Sequence, residues 1–247
     1  MTFGQDDVVR ELPHSCAKPS DVSVSHLALD LRVDFEAKQL TGSVTLSLNR
    51  REDSETLYLD SSGLEIQGVR SVAGRELTYR LGEPQESLGQ SLAIDLPADV
   101  DKVVIQYATS PTAAALQWLS PAQTTDKQHP FLFTQSQAIL ARTWVPCQDT
   151  PAVRMTYSAR IEVPPELMAV MSASNPQVKN DSGIYRFEMK QPIPSYLLAL
   201  AVGDLQFRSV GPRSGVYAEP SVLEKAAWEL ADTQRMIKAA EKLYGPY

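Results

Sequence analysis

Hydrophobic and polar residues alternate cleanly in HLALDLRVDF: Leu27, Leu29, Leu31, Val33 and Phe35 fall on one side, Ala28, Asp30, Arg32 and Asp34 on the other. A period of two held over this length predicts a half-buried strand, because successive side chains of an extended chain point to opposite faces. After EAKQ the alternation resumes in LTGSVTLSLN, with Val44, Leu46 and Leu48 on one face, which predicts an antiparallel neighbour. Short alternating runs follow in TLYLD, LEIQGV, ELTYRL, SLAIDL and KVVIQYA, punctuated by Gly, Pro, Asp and Ser. Many short strands with frequent turns predict a sandwich or saddle of packed sheets.

Residues 109–130 break the pattern and read as a long surface connection, a feature that is often functional in a compact domain. FLF then restarts a strand that runs into Gln135. Alternation returns at Met155, Tyr157, Ala159, Ile161 and Val163, followed by LMAVMSA and IYRFEM. YLLALAVG is continuously apolar and is expected to be buried on both faces. Residues 1–21 are polar and irregular and read as an arm on the surface.

The period changes at the end of the chain. PSVLEKAAWELADTQRMIKAAEKLYGPY places Leu223, Ala226, Ala227, Leu230, Ile237, Ala240 and Tyr244 on one helical stripe. Ser221 with Glu224 has the spacing of a capping box, and Gly245-Pro246 is a stop signal. One helix of about 30–35 Å is expected, from a rise of roughly 1.5 Å per residue. Such a stripe needs a partner surface. It either docks back on the sheets or opens a second domain.

Charge and composition narrow the classes. The 247 residues include 23 basic and 30 acidic ones, a net charge of −7, with no run of Lys or Arg. Neither a nucleic-acid footprint nor an anionic-membrane patch is expected. No segment reaches the roughly 20 apolar residues of a membrane span. Two cysteines, Cys16 and Cys147, are too few for a disulfide framework, and the N-terminus lacks the charge pattern of a signal peptide. A reducing, cytoplasmic setting is the expectation. His14, His26 and His129 have no metal-pair spacing, and no G-x-S-x-G or phosphate loop occurs.

The candidate chemistry lies in FTQSQAILARTWVPCQDTPA. Gln135 and Gln137 stand at i and i+2 on an extended run, so their amides point the same way. A side-chain amide offers two donors and an acceptor without proton transfer, which suits an ammonium or a backbone carbonyl. The alternative is that both satisfy neighbouring loop backbone. Arg142 is placed to pair with Asp149, and Cys147 reads as a small buried hydrophobe without an activating neighbour.

FTQSQAILARTWVPCQDTPAVRMTYSARIEVP closely resembles the corresponding stretch of the gluzincin-type zinc aminopeptidases, in particular the leukotriene A(4) hydrolase-like group. The likeness extends to LTGSVTLSL, SPTAAALQWLSPAQT, HPFLFTQSQA, PIPSYLLALAVGDL and GPRSGVYAEPSVLEKAAWEL. It implies a mainly β, saddle-like N-terminal domain of mixed and antiparallel sheets over 1–210. One terminal helix in 211–247 would open a truncated thermolysin-like catalytic domain. The family's G-x-M-E-N and H-E-x-x-H motifs do not occur, and no His follows His129. Zinc is therefore expected in a full-length enzyme but not on this part, and no catalytic residue is expected here. The resemblance implies that Gln137 helps bind the N-terminal residue of a peptide substrate. It also implies that Gln135 and Ala138 line the first specificity pocket. Many relatives carry Glu at the position of Gln137, and Ser136 stands where a Cys is expected. The missing catalytic domain is the implied partner. A non-catalytic β-rich scaffold is the rival reading, since fold does not fix function.

Overall fold

In the computed structural model, which describes residues 12–51 and 54–246, Val22–Asp34 is the strand that the alternation predicts. Its neighbour Gln39–Arg50 runs antiparallel to it, with Leu27 opposite Leu46 and Leu29 opposite Val44. A register shift between Val24 and His26 adds one residue at Ser25. The buried set switches there from Val22 and Val24 to Leu27, Leu29, Leu31 and Val33, as a β-bulge must make it do. Gly42 (φ +146°) lies opposite Leu31, where a Cβ would sit 2.0 Å from the Asp30 carbonyl oxygen, so no other residue fits this approach.

In chain order the strands are β1 (Val22–Asp34), β2 (Gln39–Arg50), β3 (Thr56–Ser61), β4 (Glu65–Ser71), β5 (Tyr79–Leu81), β6 (Gln90–Asp95) and β7 (Lys102–Ala108). Next come β8 (Leu116–Leu119), β9 (Phe131–Thr134), β10 (Met155–Glu162), β11 (Met168–Met171), β12 (Ile184–Ile193), β13 (Leu200–Gly203), β14 (Gln206–Gly211) and β15 (Ser214–Ala218). Helices α1 (Leu223–Glu229) and α2 (Thr233–Tyr244) follow. One sheet has the order β12-β10-β1-β2-β7-β4, another β11-β13-β9-β8, a third β3-β6-β5, and β14 pairs with β15. β1 and β10 are parallel and every other pairing is antiparallel, so the chain is mainly β with mixed sheets. The inward faces merge in one core, where Leu29, Leu46, Ile105 and Tyr157 join Leu59, Leu92, Leu132 and Trp144.

Four expectations are corrected. The segment 109–130 is not all connection: Leu116–Leu119 forms β8 against β9, and Pro121–Gln123 makes a 3-10 turn. YLLALAVG is not buried throughout. Ser195–Leu197 is a 3-10 turn, Leu197 is about half exposed, and only Leu200–Gly203 is a strand. The terminal helical segment is present but interrupted at Leu230–Asp232. Thr233 Oγ1 donates to the Leu230 carbonyl at 2.7 Å, a local bond that competes with helix continuation. The Ser221–Glu224 capping box does not form, because Ser221 bonds Asp126 instead. Of the expected N-terminal arm, residues 1–11 lie outside the described residues. Residues 12–21 run over the molecule, tied to the strands as described below.

Candidate functional site

The Gln135 N–H donates to the Ala115 carbonyl at 2.9 Å and so continues the β8–β9 pairing by one step. Alternation persists beyond it: Gln135 is exposed, Ser136 buried and Gln137 exposed. Ala138 is exposed as well, and the Gln137–Ala138 peptide bond is cis. Ser136 holds the inward position at two points. Its hydroxyl donates to the Leu198 carbonyl at 2.7 Å and accepts from Trp144 Nε1 at 3.1 Å. Its side chain thus points away from the surface that carries the two amides.

The glutamines differ in how they are used. Gln135 Oε1 accepts the Gln137 N–H at 3.1 Å, so part of this amide satisfies local backbone. Its Nε2 group and the entire side-chain amide of Gln137 have no partner among the described residues. The same outward side of β9 carries Phe133, 39% exposed, and Phe131, whose ring sits where a Cβ on Gly203 would be. The two rings are 6.4 Å apart. An aromatic strip therefore leads into an edge of open amides. Such an edge donates and accepts hydrogen bonds and does not titrate, so it can orient a polar guest but cannot move its protons.

The chain that follows this edge is held by the Pro-Cys-Gln-Asp-Thr-Pro turn and its partners. Arg142, fully buried, donates from Nε to Asp149 Oδ2 at 3.1 Å, from Nη1 to the Leu88 carbonyl at 2.7 Å and from Nη2 to the His14 carbonyl at 2.8 Å. The other Asp149 oxygen accepts from Ser195 Oγ at 2.6 Å. Asp60, also fully buried, accepts from Ser15 Oγ at 2.6 Å, the Cys16 N–H at 2.7 Å and the Asp149 N–H at 2.9 Å. Gln148 accepts from the Val24 N–H and donates to the Val22 carbonyl. These residues stitch β1, β3, the residues before β1 and the turn before β13 around the segment that follows Ala138. They answer the demand that buried charge be paired and hydrogen-bonded. The Arg142–Asp149 pairing was readable in sequence. Asp60, which ends TLYLD, carried no local signal, because its partners come from distant segments.

The other reactive groups are quiet. Burial pushes the Cys147 thiol well above its ordinary range, helped by Asp149 and Asp60, as befits a small buried hydrophobe. Burial also raises Cys16, and neither cysteine is in a disulfide. His26 bonds Thr156 and Ser158 across β10, and His14 bonds Thr150. Among the described residues no group of three or more His, Cys, Asp and Glu is arranged to hold a metal ion. No helix among them is long and apolar enough to cross a membrane. Open grooves among the described residues are lined by other side chains, one of them by Arg50, Glu55, Arg80 and Asp95.

Residues 23–197 match the model of the Peptidase M1 N-terminal domain. The chain is 42% identical over 246 residues to leukotriene A-4 hydrolase of Xenopus laevis, covering 95% of this chain and 40% of that protein. It is 42% identical over 234 residues to leucine aminopeptidase 2 of Yarrowia lipolytica, covering 93% of this chain and 35% of that protein. A structure of yeast LTA4 hydrolase in complex with bestatin superposes with a TM-score of 0.90 at 37% identity, over 99% of this chain and 39% of that one. The chain thus spans between 35% and 40% of the length of these curated relatives.

Proposed function

This chain belongs to the M1 peptidase family, and we propose that it is the N-terminal region of a zinc aminopeptidase that removes N-terminal residues from peptides. Its own part is one wall of the substrate pocket, with Gln137 against the substrate's free N-terminus and Gln135 and Ala138 beside the first side chain. Residues 1–210 form the wall-bearing β domain and 211–247 begin the catalytic domain, which is the partner that completes the cleft. Two free thiols agree with a reducing compartment such as the cytoplasm.

The observation that carries this reading is the outward edge itself: Gln135, Gln137 and Ala138 exposed together, with Ser136 pinned inward between them. Zinc, when bound in the complete enzyme, polarises the scissile carbonyl and activates water. On this reading the metal is held by the catalytic domain, and the role of this chain is to bind and orient. Because Gln137 is an amide rather than a carboxylate, it meets an ammonium through a dipole. Its contribution comes from positioning and not from bond chemistry.

The test is Gln137→Ala in the complete enzyme. Turnover of aminoacyl-p-nitroanilides is expected to fall while zinc content stays unchanged. Wild-type kinetics in this variant would return Gln137 to an ordinary surface residue. The 247-residue chain alone, supplied with zinc, is expected to be inert, and chelator-sensitive turnover by it would overturn the assignment.

A further inference from the structure

The connection between β8 and β9 is longer than a hairpin needs, and it is built rather than loose. Ser120 N–H donates to Gln123 Oε1 at 3.0 Å, and Thr124 Oγ1 lies 2.9 Å from the Pro121 carbonyl and 3.2 Å from that of His129. At its tip the N–H groups of Thr125 and Asp126 both donate to the Glu219 carboxylate, at 2.9 and 3.3 Å. In return the Asp126 carboxylate accepts from the Ser221 N–H at 3.2 Å and from the Ser221 hydroxyl. Two carboxylates from distant segments each satisfy backbone donors of the other segment, through charge-assisted bonds.

The choice has a local cost. Glu219 occupies the N-cap position of the Pro220–Val222 turn yet makes no side-chain cap bond there, and α1 has no side-chain cap either. Glu219 thus directs its carboxylate across the molecule instead of capping the turn that it starts. The segments joined in this way lead somewhere specific. The β8–β9 connection feeds β9, which ends at Thr134, one residue before Gln135, and Glu219–Val222 feeds α1.

We propose that Asp126, Glu219 and Ser221 form a positioning clasp that fixes the Gln135–Ala138 edge relative to α1 and α2, and so holds a bound peptide N-terminus at a set distance from the reacting bond. This rests on the reading given under Proposed function. None of the three residues touches the substrate. They act through the placement of β9.

The experiment compares Glu219→Ala, Asp126→Ala and the double variant in the complete enzyme, with Glu219→Gln as the conservative change. Each single alanine variant is expected to lower kcat for an aminoacyl-p-nitroanilide about tenfold with KM within about twofold, since the wall still binds but holds its guest off-centre. The double variant is expected to lose no more than the single ones, because the residues act as one unit. Glu219→Gln, which keeps an acceptor, is expected to recover at least half of wild-type kcat. Wild-type kcat in both alanine variants, with faster amide exchange at Thr125 and Asp126 in Glu219→Ala, would overturn the clasp as a positioning device. An inert wild-type enzyme is a different result and sinks the pocket-wall reading. The clasp is then judged on amide exchange alone, where unchanged protection of residues 221–229 in Asp126→Ala overturns it.

Discussion

Ser136 turns its hydroxyl inward between two glutamines that reach solvent, and the direction of both amides depends on it. Removing the hydroxyl leaves the Leu198 carbonyl and Trp144 Nε1 without it in a buried site. Ser136→Ala is expected to lower stability by roughly 2–3 kcal/mol, the penalty for orphaning buried polar groups. Urea denaturation measures it, and a change below about 0.5 kcal/mol would mean that another group, or water, takes over both bonds. A second residue-scale effect concerns pH. Burial, with a smaller contribution from Lys102 and opposition from Glu188, holds the His26 imidazole below its ordinary value of 6.5. The folded chain therefore takes up this proton less readily than the unfolded chain. The associated stability is present above 6.5 and declines as pH falls through that value. In His26→Gln the drop in melting midpoint between about pH 7.5 and about pH 5.5 is expected to be smaller than in the parent. Equal drops in both proteins would place the acid sensitivity elsewhere.

At the scale of elements, the buried turn around Asp149 governs how the strands meet. Asp149→Ala removes the carboxylate that accepts from Arg142 and Ser195 and leaves a guanidinium buried with less compensation. Breaking one partner of such a pair costs roughly 3–5 kcal/mol, so the denaturation midpoint is expected to fall steeply. A loss under about 1 kcal/mol would mean that Asp60, whose nearest oxygen is 3.8 Å from Arg142 Nη1, carries the charge instead. The same elements explain what the sequence could and could not disclose. β1, β2 and β10 were legible because one face of each is buried, which imprints a period of two. The parallel pairing of β1 with β10 was not, because it joins residues about 130 apart and leaves no local mark. β8 escaped notice because its four residues are too short to establish a period, and Trp118 on it is only half-buried. The helix break was hidden by a continuous apolar stripe, although Asp232-Thr233 is a poor helix interior whose side chains compete for backbone. At the site, the outward parity of Gln135 and Gln137 followed from their spacing. The anchor at Ser136 did not, since Leu198 and Trp144 become its partners only in the folded chain.

Across the whole molecule, the sheets share one core while the helices stand apart from it. α1 meets the β14–β15 hairpin with an Arg208–Glu224 ion pair at 3.2 Å, and α2 is tied to it by Arg213–Glu241 at 2.9 Å. Beyond these ties, Trp228, Met236, Leu243 and Tyr244 are each more than two-thirds exposed. An apolar stripe that meets water gives the helix little tertiary support, and a twelve-residue helix is marginal without it. The amides of α2 are therefore expected to exchange much faster than those of β1, β2 and β10, because local opening there breaks few buried contacts. Met236→Lys combined with Leu243→Lys is expected to move the melting midpoint of the 247-residue chain by no more than about 2 °C, as these side chains are mostly exposed in it. In the complete enzyme the same pair is expected to lower the midpoint several-fold more, because on the proposed reading the catalytic domain covers this stripe. Equal shifts in both proteins would mean that the stripe stays exposed, and that the pocket wall and its partner domain meet through some other surface.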